Sequence, residues 1–254
     1  AKASSALMLR RGYLAAVGLG LCVYLFVVVP HFWSWGDYAG RQFSTTDRLL
    51  TQGRVLVMYI GQILLPLPDR LVFYYDTLRI SRGLMDPPAT LLSWAVVAAL
   101  LAWAWRARTR RPVFSFGVLL FFAGHFVTSN VIGLEMAFEH RNHFPLVGAV
   151  LALGDLARTV WQQLRGPRWI AMVLAAGVFT AAAAATLVRS HEWGEPLRFE
   201  RYSVQMAPDS VRAWLALGEA YAGLAGLQSG SPYLQQAIDT LNQAAERIDS
   251  PLIL

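Results

Sequence analysis

The segment LEMAFEHRNHFP, residues 134–145, concentrates ionisable side chains between long apolar stretches of the chain. It carries Glu135, Glu139, His140, Arg141 and His143. A guanidinium binds phosphate through paired, charge-assisted hydrogen bonds. A glutamate can orient that guanidinium or act as a base, and a histidine can share a proton near neutral pH. The segment therefore predicts a binding site for an anionic group such as a phosphate.

Two other interpretations of this segment remain open. One is a wet loop, which carries charge simply because water surrounds it. The other is a metal site, since His140 and His143 are three residues apart and Glu139 is nearby. The chain has no HExxH pattern and its other histidines are scattered along the sequence, so no metal site is assigned.

The elements that position the segment are predicted to be membrane helices. Of 254 residues, 56% are hydrophobic and only 15% are charged, which is too apolar for an ordinary soluble domain. Four runs without Asp, Glu, Lys or Arg are each about as long as the ~20 residues that cross the hydrocarbon core. They cover residues 12–36, 87–105, 112–134 and 169–188. A fifth run, residues 144–161, is interrupted by Asp155 and Arg158, which are expected to pair on one helix face.

Basic residues set the expected orientation of these helices. They cluster before the first run, between the second and third, and between the fourth and fifth. With five spans, all three clusters face the cytoplasm, as the positive-inside rule requires. The segment 134–145 then lies on the outer side, together with a large loop, residues 32–86. Within that loop, the apolar residues 55–68 are too few to span and predict a re-entrant or interfacial helix.

The C-terminal part of the chain has the pattern of a helical repeat. Residues 214–221 match the W-x2-L-G-x2-Y opening of a tetratricopeptide repeat, and residues 237–244 have the small-large-small spacing of its partner helix. The predicted packing positions are Trp214, Leu217, Gly218, Tyr221, Ala237, Leu241 and Ala244. Large side chains are expected to fill the groove between the two helices, while Gly218 allows their close approach.

The expected fold is therefore all-α, with a polytopic membrane bundle of about five spans followed by a tetratricopeptide-like segment. The membrane domain covers residues 1–190 and the outward repeat segment residues 191–254. A stable stack normally needs about three or more repeats. We therefore expect the repeat to continue beyond Leu254 or to be covered by a partner.

Two stretches carry a resemblance to a known family: GRVLVMYIGQILLPLPDRLVFYYD, residues 53–76, and SNVIGLEMAFEHRNHFPLVGA, residues 129–149. Followed by a last span, HEW and the repeat pattern, they resemble bacterial relatives of the transmembrane and tetratricopeptide repeat-containing O-mannosyltransferases. These are similar to C-type glycosyltransferases, multi-spanning enzymes that use a sugar from a polyprenyl-phosphate carrier outside the cytoplasm. The resemblance extends from about residue 48 to residue 251.

The resemblance implies specific roles for the charged segment. Arg141 and His140 would meet the phosphate of the carrier lipid, and Glu139 would orient Arg141. The catalytic acid of such enzymes lies in an outward loop behind spans that would precede Ala1. Neither Asp37 nor Asp47 is identified with it, so the catalytic residue is unknown and the chain is expected to be either an enzyme or an incomplete copy of the catalytic unit.

The resemblance also implies a location and partners. The chain is expected to be a multi-pass protein of the bacterial inner membrane, with the repeat segment on the periplasmic side. Its partners would be a membrane lipid or polyprenyl-phosphate sugar donor, and an acceptor or protein bound by the repeats, with no cofactor. Nucleic acid is not expected, because topology accounts for the arginines behind the net charge of +6. The alternative function is a non-enzymatic, membrane-anchored repeat scaffold or an accessory subunit of a membrane complex.

Overall fold

The computed structural model describes residues 2–36, 43–67, 70–164, 166–226, 228 and 230–248, with side chains from Leu7 onward. These residues form α-helices and contain no β-strand. The helices are α1 (Lys2–Val23), α2 (Val29–Phe32), α3 (Thr45–Leu64), α4 (Ala89–Ala107), α5 (Pro112–Phe126), α6 (His143–Leu164), α7 (Arg168–Trp193), α8 (Pro196–Met206), α9 (Val211–Ala225) and α10 (Pro232–Arg247). A π-helical turn joins α1 to α2, and a 3-10 turn, Glu139–Asn142, leads into α6.

Within the described residues, four helical segments are long and apolar enough to cross a membrane. They are Leu7–Phe32, Ala89–Ala107, Glu139–Leu164 and Arg168–Trp193. The all-helical class is thus confirmed, the apolar helices are compatible with a membrane, and the interrupted fifth run is among the four. The third run gives only the shorter helix α5, which is about 22 Å long at 1.5 Å per residue. A crossing by α5, and with it the five-span topology, stays a prediction.

Close packing of α5 on α6 corrects the expected partner of Asp155. A Cβ atom on Gly117 would lie 2.5 Å from the carbonyl oxygen of Gly148, so the two helix backbones touch. At this short separation, Arg111 at the start of α5 reaches across and lies 3.1 Å from the Asp155 carboxylate. The predicted pairing within α6, between Asp155 and Arg158, is replaced by this interhelical ion pair.

Helix α3 begins ten residues earlier than the predicted interfacial helix. Ser44 and Asp47 form a capping box, in which each side chain bonds the other residue's backbone N–H. The helix packs against α4, where the Trp94 indole fills the space above Gly53 and donates to the Leu50 carbonyl at 3.2 Å. Because α3 is amphipathic and not among the membrane-length apolar helices, one face of it can bury polar side chains.

At the C-terminal end, α9 packs against both α8 and α10. Leu217, Tyr221 and Ala237 form one buried cluster, and Ala244 is fully buried. A Cβ on Gly218 would lie 3.0 Å from the Leu241 side chain, which explains the need for a small residue there. Trp214 is only half-buried, and its indole donates to the Pro208 carbonyl at 2.9 Å in the turn before α9. The helix pairing is present, while its assignment as a tetratricopeptide repeat remains a proposal.

Candidate functional site

The candidate site is the α5–α6 loop, residues 127–142, which contains most of the charged segment. One face of α3 lies beneath it. Arg48, Gln52, Val55 and Tyr59 follow each other at helical spacing and are all essentially fully buried. A buried guanidinium or amide is costly unless it finds hydrogen-bond partners. The α5–α6 loop supplies these partners through its backbone.

Arg48 holds the first half of the loop. Its Nε donates to the Asn130 carbonyl at 3.0 Å, one Nη donates to the Thr128 carbonyl at 3.1 Å, and the other donates to the Leu134 carbonyl. These carbonyls belong to non-helical backbone, so no helix satisfies them. The planar fork of one arginine thereby fixes seven consecutive residues of irregular chain.

Gln52 and Tyr59 hold the second half. The Gln52 amide donates to the Met136 carbonyl at 3.0 Å. The Tyr59 hydroxyl accepts from the Phe138 N–H at 2.8 Å and donates to the Phe138 carbonyl at 3.0 Å. Burial raises the pKa of the Tyr59 phenol, so its proton stays available for that donation. The backbone at Phe138 is therefore fixed from both its donor and its acceptor side.

His125, at the end of α5, completes the base of the loop. Its ring is fully buried and stacks on Tyr59, with 4.9 Å between ring centroids. Its Nε2 donates to the Asn142 side-chain carbonyl at 3.1 Å. This hydrogen bond joins α5 to the turn that precedes α6. The two ends of the α5–α6 loop are thus held close together.

Phe138 brings the two predicted phosphate ligands together. The His140 ring stacks on it at 5.0 Å, and the Arg141 guanidinium lies 5.4 Å from its ring centroid. Arg141 is half-buried and donates to the Glu135 carbonyl at 2.6 Å, while His140 is exposed. The cation and the imidazole are therefore neighbours on a backbone that Tyr59 holds in place.

Glu139 is paired with a distant part of the chain. Its carboxylate forms an ion pair with Arg189 near the end of α7, and Arg189 also donates to the Leu71 carbonyl at 3.2 Å. The glutamate thereby joins the loop to α7, and its expected orientation of Arg141 stays a prediction.

A second contact joins the loop to the C-terminal helices. The Glu135 carboxylate lies 3.1 Å from the Arg212 guanidinium at the start of α9. Asp76, from the α3–α4 loop (residues 65–88), accepts from the Arg212 N–H at 3.1 Å and from the Ser210 hydroxyl. Asp76 thereby adds a negative charge at the positive end of the α9 dipole. No local sequence signal pointed to Arg189, Arg212 or Asp76, because each contact joins residues far apart in the chain.

The α3–α4 loop packs between the α5–α6 loop and α8. Phe73 contacts the rings of Phe138, Trp193 and Phe199. Beside it, the Tyr74 hydroxyl donates to the Glu200 carboxylate at 3.4 Å. Burial, then the nearby Glu200 charge, raises the pKa of Tyr74 to about 12, and burial raises the pKa of Glu200 as well.

The acidic candidates for catalysis have other partners or lie outside the described residues. The Asp47 carboxylate accepts from the Ser44 N–H at 3.0 Å and pairs with Arg82, also at 3.0 Å, so it serves the α3 cap. Asp37 lies outside the described residues. Among those the structure describes, no group of three or more His, Cys, Asp or Glu side chains is placed to hold a metal ion.

An apolar cavity of about 340 Å³ lies among α3, α4, α5 and α6. Its lining includes Ile60, Leu100, Trp103, Phe114, Phe121 and Leu156, and all its other lining residues are also apolar. Phe121 contacts the buried ring of His125, with 4.7 Å between centroids. Phe121 thus both lines the cavity and contacts His125, the residue that bonds the end of the α5–α6 loop.

No family model matches this chain, and comparison with curated proteins and with solved structures gives no match either. The resemblance to O-mannosyltransferase relatives accordingly remains a hypothesis. The geometry of the α5–α6 loop is therefore the basis for a proposed function.

Proposed function

We propose that the chain is a glycosyltransferase-like integral membrane protein that binds a polyprenyl-phosphate-linked sugar at the outer face of a bacterial inner membrane. Arg141 binds the phosphate through its guanidinium, and His140 contributes a second donor beside it. The catalytic residue is unassigned, so the chain is either the enzyme or the donor-binding part of an incomplete catalytic unit.

The observation that carries this proposal is the rigid support of the α5–α6 loop. Arg48, Gln52 and Tyr59 are buried, and each donates a hydrogen bond to the backbone of the loop. A connector that was merely solvated would satisfy its carbonyls with water and would need none of these buried groups. Fixed geometry is, by contrast, what a bidentate phosphate contact requires, because a preorganised arginine loses less conformational entropy on binding.

The apolar cavity supports the lipid nature of the ligand. Its lining suits an isoprenoid chain, and its lining residue Phe121 contacts His125, which bonds Asn142 beside Arg141. A lipid phosphate bound at Arg141 could therefore extend its tail into apolar surroundings within the helix bundle. A soluble anion would use the arginine alone.

The test is binding of a short-chain polyprenyl phosphate to the purified chain in lipid nanodiscs, beside the same polyprenol without its phosphate. We expect the phosphorylated lipid to bind more tightly. Arg141→Lys keeps the charge but loses the paired geometry, which should weaken binding by about 1 to 3 kcal/mol. Arg141→Ala should weaken it further.

Arg198 provides the matched control. It is a partly exposed arginine on α8 whose hydrogen bond and ion pair go to His191 and Glu195, outside the loop. Arg198→Lys and Arg198→Ala should leave lipid affinity unchanged. Equal affinity of the unmodified chain for the two lipids, or equal losses in the Arg141 and Arg198 variants, would refute the proposal.

One observation favours the scaffold as the second candidate. Tyr233, Leu234 and Ile238 are exposed apolar side chains on α10. Neighbouring apolar residues on one helix are typical of a surface that a protein partner covers. A photo-crosslinking residue at Ile238 should form adducts with another protein in native membranes if this function holds. Absence of adducts together with phosphate-selective lipid binding would leave only the first candidate.

A further inference from the structure

The C-terminal helices reach Arg141 through a single intervening residue. Arg212, at the start of α9, lies 3.1 Å from the Glu135 carboxylate. The carbonyl of the same Glu135 accepts from the Arg141 guanidinium at 2.6 Å. Glu135 therefore has its side chain held by α9 and its backbone in contact with the predicted phosphate ligand.

The start of α9 is itself fixed by a second loop. Asp76 accepts from the Arg212 N–H and from the hydroxyl of Ser210, the residue that caps α9. Arg212 is consequently held at its backbone by the α3–α4 loop while its side chain holds the α5–α6 loop. A displacement of α9 would be transmitted to Glu135.

The opposite flank of the same loop is also tied to a helix. Glu139 pairs with Arg189 near the end of α7, and α8 follows α7 directly. The two carboxylates are four residues apart, with Glu139 in the 3-10 turn and Glu135 before it, and they pair with arginines of α7 and α9 respectively. Arg141 follows Glu139 by two residues and donates a hydrogen bond to the Glu135 carbonyl.

From these contacts we infer that Arg212 is a positioning residue for Arg141, and that docking of α9 and binding of an anionic ligand at Arg141 are coupled. The inference rests on the proposed function for its ligand. Coupling is reciprocal, so a ligand that needs Arg141 in place must also stabilise the docked position of α9. Proteins that bind α8–α10 would then alter the affinity of the phosphate site without touching it.

The experiment reverses the charges one at a time and then together, using the full chain in nanodiscs with short-chain polyprenyl phosphate as the probe. Arg212→Glu should weaken binding by about two- to fivefold, the range expected for a partly exposed ion pair. Glu135→Arg alone also adds a positive charge beside the phosphate site, so it serves only to build the double variant. The double variant, which restores an ion pair with reversed charges, should recover most of the lost affinity. A role of Arg212 that does not involve Glu135 predicts no such recovery.

Arg247 supplies a matched control. It pairs with Asp209 at the same 3.1 Å and close to the same turn, and both members of that pair belong to the C-terminal helices and their turns, not to the α5–α6 loop. Arg247→Glu should leave lipid affinity unchanged. Hydrogen exchange gives the reciprocal measurement, since added polyprenyl phosphate should slow exchange of the first turns of α9 in the unmodified chain but not in Arg212→Glu.

The inference and the proposed function fail in distinguishable ways. Phosphate-selective binding that is unaffected by Arg212→Glu, or that the double variant does not restore, would overturn the inference and leave the function intact. If the unmodified chain shows no phosphate selectivity, a double-mutant cycle of thermal unfolding with Arg212→Gln and Arg141→Gln still tests the positioning. Additive effects in that cycle would overturn it.

Discussion

The two sides of the α5–α6 loop are held by different kinds of interaction. On the α3 side, Arg48, Gln52 and Tyr59 are buried and bond backbone groups that water cannot reach. On the C-terminal side, Arg212 meets Glu135 in an ion pair whose side chains are 47% and 30% exposed. Buried hydrogen bonds are expensive to break, whereas exposed ion pairs are weak and screened by salt.

This difference separates a fixed base from an adjustable contact. The α3 side sets the path of the loop backbone and should not respond to salt or partners. The C-terminal side contributes little to the stability of the loop but can change its fine position. A binding loop that must be both rigid and adjustable needs contacts of both kinds.

The largest expected effect comes from Arg48. Arg48→Met keeps the apolar stem but leaves three carbonyls of the loop without this donor. Each unsatisfied buried polar group costs about 1 to 3 kcal/mol, so the free energy of unfolding should fall by about 3 kcal/mol or more. Denaturant unfolding in detergent measures this loss. Arg106→Met, at an exposed position on α4, is the control and should stay within about 0.5 kcal/mol of the unmodified chain.

A smaller effect is expected at Tyr59. Tyr59→Phe preserves the ring that stacks on His125 but removes both hydrogen bonds to Phe138. The loss should be about 1 to 3 kcal/mol, and exchange of the Phe138 amide should accelerate. An unchanged exchange rate at Phe138 would show that the α3 side does not fix the loop, and the contrast between the two sides would disappear.

Some of this site could be predicted from the sequence and some could not. Helices α4 and α7 follow directly from uncharged runs of membrane length, and the packing of Leu217, Gly218 and Tyr221 from helical spacing. His140 and Arg141 are neighbours as expected, although their placement depends on Phe138. Residues 48, 52 and 59 share one face of α3, and this spacing indicates a polar helix face. The sequence predicts an interfacial helix only from residue 55, however, so residues 48 and 52 fall outside it.

Contacts between distant parts of the chain left no such signal. The resemblance implies that Glu139 orients Arg141, whereas the structure pairs Glu139 with Arg189, which is fifty residues away and comes close only through the packing of α7. The link from Arg212 to Glu135 depends likewise on how α9 docks. Sequence spacing describes one element at a time and cannot pair charges across elements.

A pH effect is expected at the contact between the α3–α4 loop and α8. The pKa of Tyr74 is raised from 10.0 to about 12, so folding stabilises its protonated form. The stability from this group is fully present below pH 10 and is lost as the pH rises through about 12. Alkaline titration followed by tyrosinate absorbance and by proteolysis of α8 should show release in that window, and Tyr74→Phe should abolish this contribution. Release at the same pH in Tyr74→Phe would assign it to another group.

The smallest effect is expected at the exposed side of the loop, where it distinguishes the two kinds of contact most clearly. Arg212→Gln removes the positive charge that pairs with the Glu135 carboxylate. It keeps the backbone N–H of residue 212, which donates to Asp76. A partly exposed pair is worth about 0.2 to 1 kcal/mol, so global unfolding should hardly change. Raising the salt concentration should accelerate amide exchange at the start of α9 in the unmodified chain, because screening weakens the same pair. In Arg212→Gln, exchange there should already be fast and should respond less to salt, while the Phe138 amide, held by Tyr59, should be unaffected in both. Salt-dependent exchange at Phe138 would mean that the buried and the exposed contacts form one cooperative unit rather than a fixed base and an adjustable contact.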